Sequence, residues 1–310
     1  MSAGRLLRRV ARMLLLCALL LACACAPAQL PQGAGPGEVQ QAASPQCPAS
    51  TPVQTVPSPQ PATPTPWKPA YDPLRLPDYA VAFLGDSLSD YHALIRAILA
   101  GEPSVTLENP SSFPKLERTM NALFPQKALL YDARYTLGEG PLAYDAETRT
   151  VSIRYAYDTE THRLLMAAYA ARMEDALSRC TAGMTARQQA VALYLWVIDN
   201  LHYELDMRLT VYDAVTTGAA YCQTYSMLFQ QLLTQVGIAS YQVGGSVDTD
   251  GDGVADAEHQ WNRLLLDGAW YYADPTWDTG DLRYFGLSYD ECLLSGYLEP
   301  FVDPCDALLG

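Results

Sequence analysis

Positive charge is scarce in this 310-residue chain: 20 lysines and arginines stand against 34 aspartates and glutamates, a net charge of −14. Four of the basic residues, Arg5, Arg8, Arg9 and Arg12, fall within the first 22 residues, where there is no acid. Without that segment 16 basic side chains face 34 acidic ones, a charge of −18. That balance argues against binding nucleic acid or an anionic membrane surface, and favours cationic partners or metal ions. Long apolar runs are rare too. The run MLLLCALLLA at 13–22 is too short to cross a bilayer as a mature helix. No internal repeat is evident, and nothing implies an organic cofactor.

Arginines followed by a short apolar run have the shape of a signal peptide, here 1–22. The run ends Leu20-Leu21-Ala22-Cys23, which resembles the bacterial lipobox, cleaved before a cysteine that receives lipid. The resemblance implies export and a cell-surface protein that meets the membrane only through an anchor at Cys23, with Cys25 a second candidate. Thirteen of the 22 prolines lie between Pro27 and Pro73, among Gln, Ala, Ser and Thr. Such a stretch buries too little apolar surface to fold and is stiffened toward extended polyproline, so 23–75 reads as a stalk. The remainder divides into an N-terminal α+β region, 76–180, and a second domain, 181–310. Of the eight cysteines, Cys292 and Cys305 are candidates for a bridge in an oxidising compartment, which sequence does not establish.

Periodicity supplies the elements. Tyr91, Leu94, Ile95, Ile98 and Leu99 form one stripe of a helix over 90–100, stopped by Gly101. Segments 127–136 and 150–157 alternate as strands, the latter with Val151, Ile153, Tyr155 and Tyr157 on one face. A helix follows over 160–180. Another runs from Thr185, with Gln188 at capping-box spacing, to 201, with Val191, Leu195, Ile198 and Leu201 inward. The next, 222–236, ends at Gly237 and has Tyr225, Phe229, Leu232 and Val236 on one face. Strands are expected at 238–247, 259–266 and 269–274. Helices first and antiparallel strands after make the class α+β.

Three stretches carry candidate chemistry. The first is FLGDSLSD at 83–90, which looks like the nucleophile block of GDSL-type esterases, with Ser87 as nucleophile after an apolar strand-like stretch, Tyr79–Leu84, and Asp256 with His259 as the D-x-x-H pair. The G-x-N-D block of that family is missing. The competing reading makes Ser87 and Ser89 caps for helix 90–100. The second stretch is SVDTDGDGVADAEHQWN at 246–262. Counted from Asp248, positions 1, 3, 5 and 9 of a calcium loop are Asp248, Asp250, Asp252 and Asp256. Gly253 falls at the turn position and the Val254 carbonyl at position 7. Position 12 is His259, with Glu258 one place early. Weak calcium binding, about 10⁻⁴–10⁻³ M, is the expectation; a solvated acidic hairpin tip is its rival.

The third stretch joins GAAYCQTYSMLFQQLLTQVGI at 218–238 to HQWNRLLLDGAWYYADPTWD at 259–278. Cys222 opens an amphipathic helix, where free N–H groups and the helix dipole favour a thiolate, and the glycine and alanines before it leave room for a substrate. Asp267-Gly268 is a two-residue hairpin turn, so cross-strand partners sum to 535 and Trp261 faces Asp274. His259 shares the face of Trp261, and so sits diagonal to Asp274 at about 7–8 Å between backbones, within side-chain reach. A carboxylate there orients an imidazole that takes the thiol proton.

Cys222, His259-Gln-Trp-Asn262 and Trp270-Tyr-Tyr-Ala-Asp274-Pro-Thr-Trp277-Asp278 together resemble the transglutaminase-like superfamily, over about 185–290. The segments YFGLS at 284–288 and YHALIRAILAGE at 91–102 look like pieces of bacterial surface proteins that carry this domain. The resemblance implies a papain-like core, a nucleophile helix packed on an antiparallel sheet, with a Cys222–His259–Asp274 triad. It implies acyl transfer from amide bonds of a protein or peptide, such as a cell-wall or surface protein, through a thioester resolved by water or an amine. Oxyanion donors would be the Cys222 backbone N–H and an upstream side chain, Tyr203 being the candidate. Gln260 departs from the pattern, where small residues are commoner. The three tryptophans are expected to pack the core. The non-enzymatic alternative is a surface binding module stabilised by calcium.

Overall fold

The structure, a computed structural model, describes residues 69–123, 141–206 and 209–302. The signal peptide, the lipobox with Cys23, most of the stalk, the strand expected at 127–136 and Cys305 lie outside them. No helix among the described residues is long and apolar enough to cross a membrane.

A smaller layer comes first. Helix α1, Asp78–Leu84, begins after Pro77, whose fixed φ suits the entry. The sequence expectation of a strand at 79–84 is overturned. Ala80 and Leu84, four apart, are both fully buried while Val81 faces outward, which is helical and not alternating spacing. A single 3₁₀ turn, Gly85–Ser87, leads into α2, Leu88–Ala100. Gly101 stops α2 in the left-handed region at φ 74°, where its amide reaches the carbonyls of Ala97 and Ile98. Tyr91, Leu94, Ile95 and Ile98 form the buried stripe, as the periodicity requires. Ser87 makes no side-chain cap, contrary to expectation. The chain enters α2 already helical, so the Leu88 amide is bonded to the Gly85 carbonyl and the cap is redundant. Strands β1 (Ser104–Thr106), β2 (Leu142–Asp145) and β3 (Thr150–Ile153) form an antiparallel sheet in the order β1-β3-β2, flanked by α3, Phe113–Leu123. Val151 and Ile153 bury their side chains, but the strand ends there; Tyr155 turns its hydroxyl to the Glu102 carbonyl and Tyr157 is exposed.

The larger core is helical on one side and a five-stranded sheet on the other. Helix α4, Thr159–Leu177, is capped by Asp158. Its Tyr169, Met173, Ala176 and Leu177 pack with the helices that follow and not with the first layer, so α4 joins the second core although it precedes residue 181. Helix α5, Ala186–Asn200, opens with the expected capping box of Thr185 and Gln188. Its buried face is a correction: Ala190, Leu193, Tyr194 and Val197 are inside, and of the four residues expected there Leu201 is buried while Val191, Leu195 and Ile198 are only half-buried. Two-residue strands β4 (His202–Tyr203) and β5 (Ala219–Ala220) pair in parallel on either side of α6, Val211–Thr217. Helix α7, Cys222–Gln235, is enclosed on nearly every side. Burying side chains such as Phe229 and Leu232 contributes about 1.5–3 kcal/mol each.

Strands β6 (Ser240–Val247), β7 (Ala257–Leu266), β8 (Ala269–Ala273), β9 (Phe285–Leu287) and β10 (Tyr297–Val302) form an antiparallel sheet in the order β10-β6-β7-β8-β9, with a short helix α8, Tyr289–Leu294, before β10. Asp267 and Gly268 both have positive φ, 54° and 81°, as the tight hairpin turn demands. The resulting register pairs Asn262 with Ala273 and Leu266 with Ala269, as the turn alone predicted. Leu264 and Leu266 face α7; Trp261 faces the other way, into a cluster with Val243, Tyr272, Cys292 and Tyr297.

Candidate active site

Cys222 is the first residue of α7, and its predecessor Tyr221 is extended with no side-chain cap. The small residues before it have a packing cause. Gly218 closes α6 at φ 82°, and a Cβ there would lie 3.0 Å from the Asn200 carbonyl; Ala219 and Ala220 are buried in the pairing with β4. That pairing sets Tyr203 directly beside Ala220, two residues ahead of the cysteine.

His259 enters from β7 and Asp274 from the residue just past β8. The imidazole Nε2 lies 2.6 Å from Asp274 Oδ2, with the two side chains 2% and 1% exposed. Cys222 is the other ionisable group acting on the histidine, and like Asp274 it favours the charged imidazole. Burial by itself would push the imidazole toward neutrality, but the Asp274 charge and hydrogen bond, together with Cys222, overcome it and raise the pKa. Burial likewise works against the Asp274 carboxylate, yet His259, the Tyr297 hydroxyl and the Thr276 amide hold its pKa below the usual range. The diagonal relation read from the hairpin is therefore realised as a direct contact.

Supporting groups fix this arrangement. Tyr194 on α5 donates to the Asp274 carbonyl at 2.8 Å and stands 3.0 Å from Asp278 Oδ2. Asp278 in turn accepts the amides of Gly280, Leu282 and Tyr284, which ties down the loop after Asp274. Asn262 donates to the Ser226 carbonyl in the first turns of α7, clamping that helix to the histidine's strand. Trp277 stacks on the imidazole at 4.7 Å and 15°. Trp261 is fully buried in the core and Trp277 packs against the same cluster while stacking on His259, as expected, whereas Trp270 is half-buried under Arg263 and joins no core cluster among the described residues. Tyr194 and Tyr297 carry no local signal in the sequence, because each reaches the site from a distant element.

The other candidates come together only in part. Oxygens of Asp248, Asp250 and Asp256 lie within 4.8 Å of one another. Asp248 accepts the amides of Asp250, Gly251 and Gly253, Asp256 accepts Thr249, and Asp252 accepts the Val254 amide. Glu258 does not close the loop; it bonds the Ser246 hydroxyl across the β6–β7 pair. The esterase constellation is not assembled as expected. A helix stands where the strand before Ser87 should be, Ser87 is buried, and Asp256 is engaged by Thr249 while His259 is engaged by Asp274. Asp90 of the same motif is structural: it accepts the amides of Glu108 and Asn109 and the Ser112 hydroxyl. Cys292 is a free, fully buried thiol.

A cysteine at a helix start, a histidine on β7 and an aspartate just past β8 thus stand in the arrangement that the transglutaminase-like resemblance implies. Residues 174–275 match the family model of the transglutaminase-like superfamily, so that stretch is a transglutaminase-like domain. It is 23% identical over 101 residues to the kyphoscoliosis peptidase of Mus musculus and 22% over 108 residues to that of Homo sapiens. These matches cover 29% and 31% of this chain, and only 15% and 16% of those proteins. Among solved structures, a TGase aligns at 13% identity and TM-score 0.31 over 41% of this chain and 40% of that one. A second solved structure, of a Cytophaga hutchinsonii protein, aligns at 15% identity and TM-score 0.31 over 47% of this chain and 44% of that one.

Proposed function

We propose that this chain is an exported, lipid-anchored enzyme that transfers acyl groups from amide bonds of proteins or peptides through a thioester on Cys222. The observation that carries the reading is the buried His259–Asp274 contact, 2.6 Å long, with Cys222 at the start of α7 acting electrostatically on the same imidazole. In the first step the sulfur bonds to the amide carbonyl carbon and His259 holds the thiol's proton. The Cys222 backbone N–H, unpaired within the helix at its first position, and Tyr203 are the proposed donors to the oxyanion. The C–N bond then breaks and His259 delivers its proton to the leaving amine. Water or an amine attacks the thioester, losing its proton to His259, and the S–C bond breaks to restore the thiol. Hydrolysis and amine transfer share every step but the last nucleophile. If calcium is bound, Asp248, Asp250 and Asp256 are the residues that would hold it, as a structural ion at the entry to β7.

The test has two readouts. Cys222 should react with iodoacetamide at mildly acidic pH ahead of Cys180 and Cys292, whose thiols burial pushes up to about 11 and about 12. Cys222→Ala should abolish both release of peptides from labelled casein and incorporation of a fluorescent amine, without unfolding. Equal labelling of all three cysteines, or turnover by the alanine variant, would remove the reading.

A further inference from the structure

Asp274 receives two side-chain donors on one oxygen. His259 Nε2 lies 2.6 Å from Oδ2 and the Tyr297 hydroxyl 2.7 Å from the same atom, while Oδ1 accepts the Thr276 amide at 2.8 Å. Tyr297 opens β10, beyond the 174–275 stretch that matches the family model. Its ring packs against Trp261 at 4.7 Å and Trp277 at 5.1 Å, and it is 1% exposed. Phenylalanine would fill that space equally well. A buried phenol needs an acceptor, and this one meets the oxygen that orients the catalytic imidazole.

We propose that Tyr297 is a positioning residue for the triad: its hydroxyl holds Asp274 Oδ2 ionised and aimed at His259, and so keeps the imidazole turned to Cys222. The proposal rests on the triad reading above. Rotation of the carboxylate away from His259 would break the tyrosine's bond as well, and a second donor on Oδ2 opposes protonation of the acid. The other groups facing Asp274 act differently. Tyr194 from α5 bonds its backbone carbonyl, and Tyr225 from α7 and Cys292 from α8 are buried groups that the carboxylate's charge further disfavours as anions. Asp278 is held apart by its own loop amides and by Tyr194.

The experiment follows iodoacetamide labelling of Cys222 in the full chain against pH, by peptide mass spectrometry, for wild type and Tyr297→Phe. If wild-type Cys222 labels no faster than Cys180, the triad reading itself has failed. With a reactive wild type, the variant should label about tenfold more slowly near pH 5, its acid limb displaced upward by about one unit, with an unchanged circular dichroism spectrum. A rate–pH curve superimposable on wild type overturns the proposal. Replacing Tyr297 by 2,3-difluorotyrosine preserves the ring and strengthens the donor, which should move the acid limb downward. An unmoved limb overturns the proposal equally, and this arm decides if the phenylalanine variant does not fold.

Discussion

At the residue scale the decisive interaction is an ion pair out of water. Neither His259 nor Asp274 is well solvated, so each charge depends on the other and on the donors around them. Removing one partner of such a pair costs about 3–5 kcal/mol, more than the pair itself is worth against an apolar replacement. Asp274→Asn should lower the urea midpoint accordingly. The pH dependence has a definite sign. The folded value of His259 is raised, so its contribution is full below about 6.5 and is lost as pH rises through the raised value. The folded value of Asp274 is depressed, so its contribution is present above about 3.9 and is lost as pH falls through that depressed value. Both describe one interaction, strongest between about pH 4 and 6.5. Unfolding curves at pH 5.5, 7.5 and 9.5 should show wild-type stability falling toward alkaline pH relative to Asp274→Asn. Parallel curves for the two proteins would contradict the assignment.

At the element scale the acidic loop and β10 are joined by close backbone contact. The Asp248 amide bonds the Gly296 carbonyl at 2.8 Å, and Tyr297 pairs with Val247. Gly296 stands at φ 92°, and a Cβ there would lie 2.4 Å from the Asp248 carbonyl oxygen. Gly296→Ala should therefore destabilise by about 1–3 kcal/mol or more, since left-handed strain adds to the collision. It should also slow Cys222 labelling by displacing Tyr297. Gly251, in the same loop at φ 84° with nothing within 4 Å of its Cβ position, makes the control: Gly251→Ala should be milder and leave labelling unchanged. Chemical denaturation of the two variants, read beside iodoacetamide kinetics, checks this, and equal effects at both glycines would refute the coupling.

At the scale of the whole molecule, the proposal places an acidic catalytic domain on a tether. With the signal removed, 34 acids face 16 basic side chains, so the domain is repelled by anionic lipid and depends on its anchor for membrane association. Metabolic labelling with a radioactive fatty acid should mark the wild-type chain and not Cys23→Ala, and the variant should leave the membrane fraction. Labelling that persists in Cys23→Ala but disappears in Cys25→Ala would move the anchor two residues along.

The elements legible in the sequence were those governed by neighbours along the chain. Gly101 ends α2, Thr185 and Gln188 cap α5, and Asp267-Gly268 set the β7–β8 register, because capping and turn conformation are decided within a few residues. That register carried the His259–Asp274 contact with it, and the motif residues supplied Cys222. What depends on packing was not legible. The stretch Tyr79–Leu84 is a short apolar run that reads as strand-like, but it coils because Ala80 and Leu84 share one buried face. The inward side of α5 is rotated from the one periodicity favoured, since Tyr194 must reach Asp274 and Asp278. Tyr297 meets Asp274 across 23 residues, through the folding of α8 and β10 back onto β6. A hydrogen bond between such distant residues leaves no local pattern, so only the tertiary structure could disclose the second donor on the Asp274 carboxylate.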